Sequence, residues 1–105
     1  MNFHVIAVDF DDTLSLDAKW PDCGKPNEPL IRHLINQQRR GSKLILWTCR
    51  CGEDLDAAIA WCKEHGLNFD AVNDNIPEAI ELFKDNSRKV FAHVYIDDKN
   101  SYMRW

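Results

Sequence analysis

Apolar positions along this chain alternate between two spacings. Residues 3–8 form a short, nearly continuous apolar run that stops at Asp9, the pattern of a strand covered on both faces. Residues 10–26 contain Pro21, Gly24 and Pro26 and show no period, which predicts a long loop. Asn27 stands where a helix cap belongs and Pro29 suits a first turn. Leu30, Ile31, Leu34 and Ile35 then make one helical stripe, which Gly41 stops. Residues 44–47 read as a second buried strand, ending at Thr48. Leu55, Ala58, Ile59 and Cys62 mark an amphipathic helix closed by Gly66. A weaker third strand is predicted over 68–72. Ile76, Ala79, Ile80 and Phe83 repeat the helical spacing, and residues 90–96 read as a last strand that ends at Asp97-Asp98.

Strand and helix thus alternate three times before a final strand. That order predicts right-handed crossovers and a parallel sheet covered on both faces, a three-layer α/β architecture. The 105 residues suit one domain over 1–105 with a single core. Hydrophobic residues at 45% and charged residues at 29% exclude disorder as the default. A net charge of -4 argues against a generic binder of nucleic acid or membrane surfaces, which would carry a basic face. No apolar run approaches the ~20 residues of a membrane helix, and the start has no signal-peptide pattern. Cys23, Cys49, Cys51 and Cys62 show no disulfide-scaffold spacing, so a reducing, cytoplasmic setting is expected.

In a parallel α/β sheet, ligands bind beyond the carboxyl ends of the strands. Asp9, Asp11, Asp12 and Thr13 follow the first strand, Thr48 the second, and Asp97 and Asp98 the last. Any one Asp after a strand is an ordinary turn former or cap. Three strands delivering such groups to one edge is a different matter. Crowded carboxylates repel and lose hydration unless a cation joins them, and hard oxygen ligands suit Mg²⁺. A divalent ion there would in turn attract a phosphate.

These residues carry a resemblance. Val8-Asp9-Phe10-Asp11-Asp12-Thr13 looks like the first motif of the haloacid dehalogenase-like superfamily, Asp-x-Asp-x-Thr after an apolar strand. Leu44-Ile45-Leu46-Trp47-Thr48 resembles the second motif and Val94-Tyr95-Ile96-Asp97-Asp98 the fourth. Lys89 is the best match for the third, a lone Lys. The resemblance implies a Rossmann-like sheet with the first strand central, and a phosphatase working through an aspartyl-phosphate. Asp9 would be the nucleophile, and Asp11 the general acid and then the base for water. Mg²⁺ would be held by the Asp9 carboxylate, the Asp11 backbone carbonyl and Asp98, with Asp97 a further ligand or the neighbour of one. Thr48 and Lys89 would contact the phosphoryl oxygens. Having Asp11 favours phosphoryl transfer over carbon–halogen cleavage, which needs no acid. Asp12 stands where the family most often has Gly. The chain stops seven residues after Asp98 where similar proteins carry one more helix. The sheet is then uncovered there, covered by a partner, or covered by Tyr102, Met103 and Trp105 folding back.

About a dozen residues separate Thr13 from the first helix, so the chain is expected to be capless, with 14–26 as a small flap. An open site suits bulky phosphorylated substrates, a nucleic-acid end among them, or else a second copy of the chain closes it. No membrane partner is expected. Arg50 would either grip a phosphate or sugar or be a solvated surface residue. Trp20 and Cys23 would touch substrate or, more simply, pack the flap, and His4 and His93 are expected to be packed or hydrogen-bonded core residues. Cys49, Cys51, Cys62 and His65 lack the spacing of a zinc knuckle, and Cys62 reads as core. Arg39, Arg40 and Lys43 suit a helix end.

Two other readings compete. A phosphorylatable receiver domain would accept phosphate at the end of the third strand, yet that strand ends at Val72-Asn73. A non-catalytic binding or regulatory protein retaining the fold would predict damaged motifs, yet Asp9, Asp11, Thr48, Lys89 and Asp98 are all present.

Overall fold

The structure is a computed structural model, and the residues it describes are 2–101. Four parallel strands make the sheet: β1 (Val5–Val8), β4 (Lys43–Leu46), β5 (Ala71–Val72) and β6 (Val94–Ile96), in the order β5-β4-β1-β6. The first strand therefore lies inside the sheet, between β4 and β6. Three helices connect the strands: α1 (Glu28–Arg39), α2 (Gly52–Glu64) and α3 (Pro77–Phe83).

Every residue of β1 is buried, as a two-sided apolar run requires. Its side chains alternate between two cores. Ile6 and Val8 join Leu44, Leu46, Ile31 and Leu34 of α1, and Ala58 and Cys62 of α2. Val5 and Ala7 join Ile45, Val90 and Ala79 of α3 on the other face. Two helices thus cover one face and one covers the other, the α/β layering expected from the alternating periods. Gly41 and Gly66, just past α1 and α2, have φ of 102° and 88°. Those left-handed positions let the chain turn back to the sheet without a Cβ clash.

Three stretches differ from expectation, each because side chains take backbone partners. The long loop over 10–26 contains a small antiparallel ribbon, β2 (Ser15–Leu16) against β3 (Lys25–Pro26). The third strand shrinks to two residues because Asp70 accepts the Leu44 N–H on its own carboxylate (2.8 Å). The last strand begins at Val94 rather than at residue 90. Before it, the Phe91 N–H donates to Asn75 Oδ1 (2.7 Å), and the Tyr95 hydroxyl takes the Ala92 N–H while donating to the Val90 carbonyl. Asn27 does begin α1, but its side chain makes no cap bond; it donates to the Thr13 carbonyl instead (2.9 Å).

His4 and His93 are exposed, not core. Their rings stack 4.8 Å apart, and His93 Nδ1 accepts the Val5 N–H. The cover expected of Tyr102, Met103 and Trp105 lies outside the described residues. Among those residues, no helix is long and apolar enough to cross a membrane.

Candidate metal centre and phosphate site

Asp9 is the first residue beyond β1, and its N–H still donates to the Ile96 carbonyl of β6 (2.9 Å). That bond extends the ladder one step and draws the end of β1 beside Asp97 and Asp98. A carboxylate oxygen from each of Asp9, Asp97 and Asp98 lies within 4.8 Å of the others. Thr13, buried under the loop, ties the two strand ends together. Its hydroxyl donates to Asp9 Oδ2 (3.1 Å) and accepts the Asp98 N–H (3.0 Å).

The electrostatics of the trio are unbalanced. Burial pushes the Asp9 carboxyl up to about 6, and the Asp97 charge and a bond shared with Asp98 add to the rise. The Thr13 hydroxyl opposes it only in part. Asp98 also feels burial, but bonds from Lys99 and the facing carboxyls outweigh it and hold that group below its usual value. The only cation paired with the trio among the described residues is Lys99, on Asp98 (3.2 Å), and it is largely exposed. Three oxygen donors with no His or Cys fit a hard divalent cation such as Mg²⁺. Among the described residues no other such cluster of potential ligands forms, so Cys49, Cys51, Cys62 and His65 are not gathered.

Thr48 stands at the end of β4, beside the trio. Asp9, Asp97 and Thr48 line one cleft of about 240 Å³ with Trp47 and Cys49. The Thr48 N–H is fixed by Asn73 Oδ1 (2.8 Å), and its hydroxyl oxygen accepts the Arg50 N–H (3.2 Å).

Arg50 corrects both expectations for it. Its side chain is fully buried, neither solvated nor reaching into the cleft. Nε and Nη2 donate to the two oxygens of Asp11 (2.9 and 2.8 Å). Nη1 donates to the Asp54 carbonyl and Nη2 also to that of Asp22. Phe10 and Trp20 cover the guanidinium, their ring centroids 4.8 and 4.9 Å away. Hydrogen bonding to Asp11 raises the Arg50 pKa above its already high value. Consequently the Asp11 carboxylate is engaged with Arg50 and is not one of the clustered trio.

Lys89 is not brought in either. It is exposed, with Nζ 5.5 Å from the Tyr95 ring, and lines a separate cavity with Asn75, Phe83 and Asp85. The side-chain bonds that pin residues 90–92 carry it to that side of the molecule. Asp12 adopts φ 61°, the left-handed conformation that a Gly there would take freely and that Asp tolerates better than most residues.

Thr13 was visible in the sequence as the last residue of the first motif, but nothing announced its double bond to Asp9 and Asp98. Asn73 carried no signal. Its role is one side-chain bond across 25 positions.

Fold and site together define a Rossmann-like α/β protein with an acidic cluster at the carboxyl edge of a four-stranded parallel sheet. Comparison with protein families and with curated proteins finds no match. The chain is similar to a solved structure, that of a conserved protein coded by a locus from Bacteroides thetaiotaomicron. The two are 40% identical with a TM-score of 0.80, over 94% of this chain and 78% of that one. The chain belongs to the family of that Bacteroides protein.

Proposed function

We propose that the chain is a Mg²⁺-dependent phosphohydrolase of the haloacid dehalogenase-like superfamily, acting on phosphate monoesters through an aspartyl-phosphate. The observation that carries this reading is the gathering of Asp9, Asp97 and Asp98 within 4.8 Å, on two adjacent strand ends. Asp9, Asp98 and Asp97 would hold the ion, which would screen the negative charge of the phosphate and of the nucleophile.

The chain's own groups have separable tasks. Asp9 attacks phosphorus, forming an O–P bond as the ester O–P bond breaks. Its Oδ2 is tethered to Thr13, which leaves Oδ1 as the attacking oxygen. The Thr48 hydroxyl, on the wall of the cleft, donates to a phosphoryl oxygen. Water then attacks phosphorus, the Asp9 carboxylate is released, and the proton lost by water passes to Asp11. To protonate the leaving oxygen in the first step, the same group would first have to leave Arg50 and take up a proton. With Arg50 engaged on Asp11, neither Arg50 nor Lys89 has a part in phosphate contact in this arrangement.

Hydrolysis of p-nitrophenyl phosphate, with and without Mg²⁺, tests the reading. Wild-type turnover is expected to need the ion, and Asp9→Asn is expected to abolish it. Turnover that survives in Asp9→Asn would remove Asp9 as the nucleophile. A second reading, a binding or regulatory protein that keeps the fold, is favoured by one observation, the position of Lys89 over Tyr95. Mg²⁺ binding without turnover on any phosphate ester would favour it.

A further inference from the structure

We infer that Trp47 is a specificity-determining residue that contacts the substrate, and that the site takes phosphate borne on a planar aromatic ring. The inference rests on the phosphohydrolase reading and names the class of ester that the same cleft would hold.

Trp47 stands in one row with the acidic groups. Val8 pairs with Leu46 of β4 on one side and with Ile96 of β6 on the other. One residue further along, the Trp47 N–H still donates to the Val8 carbonyl (2.9 Å), and the Asp9 N–H to that of Ile96. Trp47, Asp9 and Asp97 are therefore adjacent across three strands spaced by about 4.8 Å. The pleat sends all three to the same face. Ile45, Ala7 and Tyr95, two positions earlier in those strands, pack in the core under α3, and part of Trp47 packs there too.

The half-buried indole also lines the cleft with Asp9, Thr48, Cys49 and Asp97. Under the proposed chemistry Asp9 and Asp97 serve the ion, and Thr48 the phosphoryl oxygens. What remains of that wall for the organic part of an ester is an indole and a thiol. Such a wall offers the hydroxyls of a sugar little to bond, whereas an aromatic ring packs on indole and needs no polar partner. At about 240 Å³ the cleft is smaller than the ~300 Å³ at which pockets for larger ligands begin, which suits one ring beside the phosphate. The flap does not shape this wall. Phe10 turns the other way, into the core under α1 and α2, and Arg50 lies over it with its Nη1 on the Asp54 carbonyl of α2.

Titration calorimetry with phenylphosphonate, methylphosphonate and inorganic phosphate, at saturating Mg²⁺, tests this without turnover. The wild type is expected to bind phenylphosphonate about tenfold more tightly than methylphosphonate. Trp47→Leu should cut that ratio to about threefold or less and leave the affinity for phosphate within about twofold. Trp47→Phe, which keeps a ring, should retain most of the ratio. The wild-type ratio needs no variant, and with Trp47→Phe it decides the matter if Trp47→Leu, which also removes core packing, fails to fold. In kinetics, O-phosphotyrosine and a phosphotyrosyl peptide distinguish a free small molecule from a protein side chain as the source of the ring. At least one of them should show a KM about tenfold below that of O-phosphoserine.

A wild-type ratio near one, or a ratio unchanged in Trp47→Leu, would overturn the inference, while turnover of p-nitrophenyl phosphate would decide the phosphohydrolase reading separately. So would an equal loss for phosphate and both phosphonates in Trp47→Leu, or a lower KM for O-phosphoserine than for both aryl esters. Failure to hydrolyse any ester, with the ring preference in binding intact, would overturn the phosphohydrolase reading and leave Trp47 as the wall of an aryl-phosphoryl binding site. A protein that binds none of the three ligands would overturn both.

Discussion

Asp9 and Asp11 leave the same loop two residues apart, and their surroundings are opposite. Asp11 has a dedicated cation from the chain itself, bound through both oxygens and shut away from water. Asp9 has none. Its neighbours are two more carboxylates and a threonine hydroxyl, and burial, helped by the Asp97 charge and the bond with Asp98, lifts its carboxyl to about 6. One half of the loop is complete as folded, whereas the other half keeps a surplus of negative charge. An arrangement of that kind favours an ion from outside, and the sequence spends a buried arginine to keep Asp11 out of it.

The most disruptive way to test this contrast is to remove the partner on the completed side. Asp11→Ala strands a buried guanidinium, and urea unfolding should show a loss of about 2–4 kcal/mol. That lies under the range for fully buried pairs because Asp11 is 33% exposed. A loss below about 0.5 kcal/mol would mean that Arg50 finds equivalent partners, and that the pair matters little to the fold.

On the other side the sign reverses. A carboxyl raised from 3.8 to about 6 takes up a proton on folding. Its favourable contribution is complete below about pH 4 and disappears as pH rises through 6, after which the folded state carries the charge at a cost. Asp9→Asn should therefore stabilise the ion-free protein at pH 7.5 by about 1–2 kcal/mol, after allowance for solvent screening, and by almost nothing at pH 4. Thermal melts across that interval would measure the difference. An equal gain at both pH values would disconnect it from ionisation.

A divalent ion should cancel the same penalty. With Mg²⁺ at ten times its Kd, wild-type stability should rise by about 1.4 kcal/mol, while Asp9→Asn and Asp98→Asn gain much less at that concentration. Calorimetric melts with Mg²⁺ and with EDTA would show whether the trio is the binding site. The smallest effect is expected at Asp12. Its φ of 61° suits glycine, so Asp12→Gly should shift stability by no more than about 1 kcal/mol, relief of strain being offset by a looser unfolded chain. A larger loss would point to a role for its carboxylate.

Periodicity and strand-end chemistry revealed the layers, the parallel sheet and an acidic edge that includes Asp9, Asp97 and Asp98, though not that Asp11 and Asp12 stay out of the cluster. They did so because apolar alternation and the residues after a strand are local properties. What they missed was carried by long side chains. Arg50 looks like a surface residue two positions past a strand, and only the folded chain brings Phe10, Trp20 and Asp22 around it. Lys89 precedes the right strand in the chain, but Asn75 and Tyr95 take over the backbone of the residues between and lead it away. Side-chain capture of backbone groups also shortened the third and last strands. Spacing along a chain records none of this.

Thr13 has a consequence for stereochemistry. A free carboxylate is symmetric, and half a turn about its last bond exchanges its oxygens without changing anything. The Thr13 hydroxyl is oriented by the Asp98 N–H behind it and gives its hydrogen to one oxygen of Asp9. The two oxygens thereby become inequivalent, like the two faces of a prochiral centre, and under the proposed chemistry the handedness of attack by Asp9 would be written into the fold by Thr13.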